Sequence, residues 1–112
     1  MTTLDQLIRS YGVPSFIKID VEGYELEVLK GLTSSVNMIS FEYAVPEQTT
    51  KLIDCIDRIE KNDKYIECNY SIGESMDFAL TEWYSVENMK NHIQTVFFTD
   101  TEFGDIYVRQ KR

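Results

Sequence analysis

The chain has 112 residues, 19 of them Asp or Glu against 11 Lys or Arg, for a net charge of −8. That length supports one domain with one core, burying roughly two-thirds of the surface its unfolded form exposes. The charge repels the phosphate backbone of nucleic acids and the anionic face of membranes, so neither is an expected partner. Hydrophobic residues make up 43%, but no apolar run is long enough to cross a membrane or to serve as a signal peptide, so a cytoplasmic protein is expected. Cys55 and Cys68 form no CxxC pair and have one histidine, His92, for company. Zinc ligation is therefore not expected and no metal is assigned. Both cysteines read as small buried hydrophobes, and His92 as a surface or capping residue.

In chain order, "TTLDQLIRSYGVP" reads as a helix, with Thr3 and Gln6 in capping-box spacing and Leu4, Leu7, Ile8 and Tyr11 on one face. Gly12 ends it and Pro14 forbids its return. Residues 16–21, Phe-Ile-Lys-Ile-Asp-Val, are apolar on both faces apart from one lysine, which suits a parallel strand covered on both sides. Residues 23–32 return to helical period, with Tyr24, Val28, Leu29 and Leu32 inward and Glu25, Glu27 and Lys30 outward. A second strand, "NMISFEY" (37–43), ends near Glu42. Pro46 then opens a helix in which Leu52, Ile53, Ile56 and Ile59 repeat to about position 61. "KYIECNYSI" is a third strand, Gly73 to about Thr81 a loop, and "SVENMKNHI" a short helix opening on Ser-x-x-Asn. "TVFFT" and "GDIYVRQ" read as two last strands. The alternation of strands and helices predicts an α/β sheet with right-handed crossovers, whose ligands sit beyond the carboxyl ends of the parallel strands.

Two strands finish in acids at that edge: Asp20 with Glu22, and Glu42. Helix capping explains one acid, since a carboxylate beside a helix's first turn accepts free N–H groups and meets the positive end of the dipole. Three gathered carboxylates repel one another unless a cation, a proton or a hydroxyl-bearing ligand sits among them. Lys18, on the same strand face as Asp20, offers an internal ion pair instead. The aromatics Tyr70, Phe78, Trp83 and Tyr84 either line a pocket or pack as core and lid.

The stretch "FIKIDVEGYELEVLKGL" resembles the signature segment of the FkbM family of S-adenosylmethionine-dependent methyltransferases, and "TLDQLI" the segment before it. "ISFEY", "NYSIGESMDFALTEW" and "GDIYVRQ" are similar to later segments of the family. The resemblance implies an α/β fold of the class I methyltransferase (Rossmann-like) type, with parallel strands, helices and a late antiparallel hairpin. It places Asp20 at the tip of the fourth strand and Glu42 at the tip of the fifth. It also implies S-adenosylmethionine as cofactor and a small-molecule or sugar-like acceptor methylated on oxygen. Asp20 and Glu22 would then be catalytic, Asp20 would also touch the cofactor, and Glu42 would bind the substrate.

The family's Gly-rich turn after its first strand and the acid at the tip of its second have no counterpart here. The glycines, at 12, 23, 31, 73 and 104, never fall into G-x-G. The expectation is one partial domain over 1–112, the carboxyl-terminal part of a methyltransferase domain and about 60% of a minimal one. Strand 16–21 would then be an edge open to self-association or to a missing amino-terminal partner. Two other readings stand beside the methyltransferase: a non-enzymatic module docking through that edge, and an Mg²⁺-dependent α/β hydrolase with Asp20, Glu22 and Glu42 as oxygen ligands.

Overall fold

A computed structural model describes residues 3–19, 24–45, 49–73, 77–95 and 102–111. The described elements are α1 (Leu4–Tyr11), β1 (Phe16–Ile19), α2 (Glu25–Lys30), β2 (Met38–Val45), α3 (Thr49–Asn62), β3 (Ile66–Ile72), β4 (Tyr84–Ser85), α4 (Val86–Thr95) and β5 (Glu102–Gln110). The strands form one sheet in the order β1-β2-β5-β3-β4. β1 and β2 run parallel, with Ile19 opposite Phe41. β5 lies antiparallel between β2 and β3, so β2 and β3 point the same way. The chain is thus a mixed α/β domain, as its alternating pattern predicts.

Strand alternation gives the sheet two unlike faces. On one, Ile19, Ile39, Phe41, Tyr43, Cys68, Tyr70, Ile106 and Val108 are buried. Against it pack Leu29 of α2, Leu52, Cys55, Ile56 and Ile59 of α3, and Val86, Met89 and Ile93 of α4. The periodicity of α3 is realised as read, with Ile53 half-buried. Pro46, expected to open that helix, lies outside the described residues.

The capping box of α1 is present: Gln6 N–H donates to Thr3 Oγ1 and Thr3 N–H to Gln6 Oε1. The apolar face it announces is covered in part: Leu4 and Ile8 pack half-buried against the core, whereas Leu7 and Tyr11 (86%) are exposed. Polar contacts hold the helix as well. Asp5 accepts from Thr33 N–H (2.8 Å) and Thr33 Oγ1–H (2.9 Å), while Asp5 N–H donates to Gly31 O (2.9 Å). The Thr33 amide bond, more than any other influence, holds the Asp5 carboxyl below its ordinary range.

Several local readings change. α2 is shorter than the expected 23–32, its stripe rotated so that Glu25 is buried and Tyr24 exposed. The helix leans on α3, and Glu25 shares a small cavity with Lys51, Leu52 and Cys55. β2 runs past Glu42 to Val45 because its pairing with β5 continues to Val45 opposite Glu102. The expected late hairpin is not what places β5: both its edges are taken, by β2 and β3. The segment "TVFFT" lies almost wholly outside the described residues. His92 is no surface cap, being half-buried between Tyr84 and Tyr70, whose Oη is 2.9 Å from His92 Nε2. α4 opens as predicted, with Asn88 N–H donating to Ser85 Oγ (3.2 Å).

Candidate functional site

β1 and β2 are parallel neighbours, so their carboxyl ends lie side by side, where open α/β sheets receive ligands. Of the expected site residues, Asp20 and Glu22 lie outside the described residues and Glu42 lies within them. Glu42 is the fifth residue of the eight in β2, half-buried, and alternates with the buried Phe41 and Tyr43. By that alternation the residue, which also borders the small cavity shared by Glu25, Lys51, Leu52 and Cys55, has its Cβ on the opposite side of the strand from Phe41 and Tyr43.

That second face is polar. Across it, one row holds Met38, Arg109 and Glu67, the next Lys18, Ser40, Tyr107 and Asn69, and the third Glu42, Asp105 and Ser71. The loop 77–83 covers the first two rows from above. Arg109 lies 3.8 Å from the centre of the Trp83 ring and donates to Glu67 (2.8 Å). Phe78 meets both Trp83 and Tyr107 edge-on at 5.1 Å. Asn69 takes Leu80 as a strand would, donating to its carbonyl and accepting from its amide, both at 3.1 Å.

The four aromatics singled out in the sequence therefore do not form one pocket. Phe78 and Trp83 cover the polar face, whereas Tyr70 and Tyr84 pack with Tyr43 and His92 on the helical side. Asp105 and Ser71 escape sequence reasoning, because neither sits at a strand-to-helix join. The one signal pointing to Asp105 is its place in a strand-like run, which leaves its neighbours unspecified.

Both cysteines are free and buried, and burial pushes each thiol up to about 12. They carry no thiolate chemistry near neutral pH. Among the described residues there is no group of three or more His, Cys, Asp or Glu able to hold a metal, and no helix long and apolar enough to cross a membrane. A nucleoside cofactor needs a cradle of backbone amides leading into a helix, or an acid facing its ribose. The two described glycines with left-handed φ, Gly12 (88°) and Gly73 (59°), end α1 and follow β3. Neither opens a helix.

At the sheet's other end, β1 pairs only with β2 among the described residues. Phe16 is exposed, Ile17 half-buried and Lys18 exposed. Beside this edge, grooves of about 510 and about 320 Å³ flank α1. The first is lined by Leu4, Leu7, Tyr24 and Val28, the second by Ile8, Tyr11, Val13 and Ile17.

The chain is 40% identical over 57 residues to the hexuronic acid methyltransferase AglP of Haloferax volcanii. That match takes in 44% of this chain and 24% of the relative, so the chain spans about a quarter of the length of the curated relative it matches. No solved structure matches it. The family model of the methyltransferase FkbM domain matches residues 1–72, from α1 to the end of β3. The chain belongs to the FkbM methyltransferase family.

Proposed function

We propose that the chain is the acceptor-side part of an S-adenosylmethionine-dependent O-methyltransferase whose acceptor is a hydroxylated, sugar-like small molecule. The observation that carries this reading is the parallel register of β1 on β2. Ile19 is opposite Phe41, and the residues next in sequence are Asp20 and Glu42. The cofactor, when bound, supplies a methyl group on a sulfonium. The residues of this chain supply position and a proton acceptor. Asp20 takes the proton of the acceptor hydroxyl and also borders the cofactor, Glu22 supports it, and Glu42 accepts hydrogen bonds from the acceptor. The sheet order, with antiparallel β5 inserted beyond the parallel pair, is compatible with the class I arrangement that the family implies.

The test is transfer of a labelled methyl group from S-adenosylmethionine to a panel of neutral and acidic sugars, with Asp20→Asn and Glu22→Gln beside the unaltered chain. Transfer that falls at least a hundredfold in Asp20→Asn supports the role of Asp20. Transfer that the substitution leaves unchanged overturns it.

The exposed α1 face and the open edge of β1 favour one addition: an α/β segment bearing the cofactor site pairs with β1 and covers Leu7, Tyr11 and Phe16. A strand with one edge unpaired among the described residues and flanked by apolar grooves is a surface suited to such pairing. Size-exclusion chromatography with light scattering at micromolar concentration checks whether the edge is active. Self-association or binding of an apolar dye supports the idea, and a clean monomer that binds no dye overturns it.

A further inference from the structure

Glu25 is the one Asp, Glu, Lys or Arg buried among the described residues, at 5% exposure. Its carboxylate takes part in no hydrogen bond and no ion pair there. A buried carboxylate without a bonded partner is costly in a finished fold. What borders it instead is the small cavity that Lys51, Leu52 and Cys55 of α3 and residues 41–43 of β2 also line. Its volume is about 10 Å³, room for a single water. Glu25 is the first residue of α2 and Lys51 the third of α3, so the cavity lies between the first turns of two helices. Opposite charges face it from those turns. After burial, Glu25 is the leading influence that raises the Cys55 thiol, while Lys51 lowers it. The ammonium also disfavours a metal ion in so small a space.

We infer that this cavity holds one ordered water, which accepts from the Lys51 ammonium and donates to the Glu25 carboxylate, and that Glu25 is thereby a positioning residue for the acceptor edge. The bridge ties the start of α2, which follows the join carrying Asp20 and Glu22, to the start of α3. What it positions rests on the reading above of that edge as the acceptor site; the water itself does not. An ammonium has three donors, so one bond to the water leaves two for the contacts that Lys51 already makes. Nothing in the bridge draws on Glu42, which keeps its own contacts. The arrangement accounts for a carboxylate buried at this point, because the water satisfies it where no side chain does.

The experiment is nuclear magnetic resonance of the uniformly ¹³C,¹⁵N-labelled 112-residue chain, reading water-to-amide cross-peaks and hydrogen exchange of the Lys51 ammonium. A long-lived water is expected to give cross-peaks to protected amides among residues 42, 52 and 55. Glu25→Gln keeps an accepting oxygen and is expected to retain them. Glu25→Leu puts an apolar group of similar size in place of the carboxylate. It is expected to keep the fold, lose the cross-peaks and speed the ammonium exchange about tenfold, through loss of one charge-assisted hydrogen bond. Lys51→Met, which removes the donor from a half-buried position, is expected to lose the same cross-peaks. A merely structural Glu25 would give the reverse: a lower melting temperature in Glu25→Leu with Lys51 exchange unchanged. No long-lived water in the unaltered chain, or cross-peaks and Lys51 exchange that Glu25→Leu leaves unchanged, overturns the inference. Because the samples contain no cofactor and no acceptor, its failure leaves methyl transfer standing. Conversely, a bound water without any methyl transfer removes the proposed function and leaves the bridge.

Discussion

Tyr43 Oη donates a hydrogen bond to the carbonyl of Ser71 at 3.0 Å, linking β2 to β3 across the strand that lies between them. The bond passes over Gly104 of β5, where an added Cβ would sit 2.0 Å from Ser71 O and 2.9 Å from Tyr43 Oη. Glycine is therefore required there by close approach of backbone, not by its φ. The bridge fixes the spacing of the strands that carry Glu42, Asp105 and Ser71.

Gly104→Ala is expected to destabilise the chain by about 3 kcal/mol, since a backbone carbonyl and a buried ring must both give way. Tyr43→Phe keeps the ring in the core and loses only the bond, at about 1 kcal/mol. Urea unfolding followed by circular dichroism ranks the two. Equal stability of Gly104→Ala and the unaltered chain would show that the strands separate freely.

The carboxyl end of α2 is held from α3. Arg58 Nη2 donates to the carbonyls of Lys30 (3.3 Å) and Leu32 (3.2 Å), and Asn62 Nδ2 to Leu32 O (2.8 Å). The Lys30 carbonyl is among those a helix end leaves without partners, and the Leu32 carbonyl lies just beyond that end. Arg58→Ala and Asn62→Ala are expected to cost about 1 kcal/mol each. Arg58 also donates to Asn62 Oδ1 (3.3 Å), so the double variant should depart from additivity in the same unfolding measurement.

Asp63 contributes to the acid limb of stability. Its carboxylate accepts from Ser35 Oγ–H (2.7 Å), Tyr65 N–H (2.9 Å) and Gln110 Nε2–H (3.3 Å), and the Ser35 bond leads in holding its pKa below the ordinary value. A group whose folded pKa is depressed stabilises above its unfolded pKa, and loses that contribution as pH falls through the folded value. The contribution should be present in full above about pH 5 and fade below about pH 4. Asp63→Asn should flatten the pH dependence of the melting temperature over that window. An unaltered acid limb in the variant would remove Asp63 from it.

The cysteines should be silent in the folded chain. Burial is the leading cause of the raised thiol pKa at Cys55 and at Cys68, each about 12. A thiol-disulfide reagent at pH 8 is expected to modify neither until the chain unfolds, then both together. Rapid native-state modification of one would show that its helix or strand opens locally.

Local chemistry was enough to read α1 with its capping box, α3 with its four-residue rhythm, the core role of both cysteines and the opening of α4 at Ser85. Each is set within a turn or two of chain, by periodicity and by side chains that reach their own backbone. The family too was legible, because the strand-to-helix segment from Phe16 onward carries residue types in a long, specific order. What the sequence left open depends on register between segments far apart along the chain. Nothing local to Asp105 says that it stands opposite Glu42 and beside Ser71. That follows from β5 entering antiparallel between β2 and β3, which no period in residues 102–110 specifies. The burial of Glu25, the pairing of His92 with Tyr70 and the division of the aromatics between two faces have the same origin. Sequence determined which segments form elements and which family they belong to. Tertiary packing decided which side chains share a face, because the faces exist only once the strands are in register.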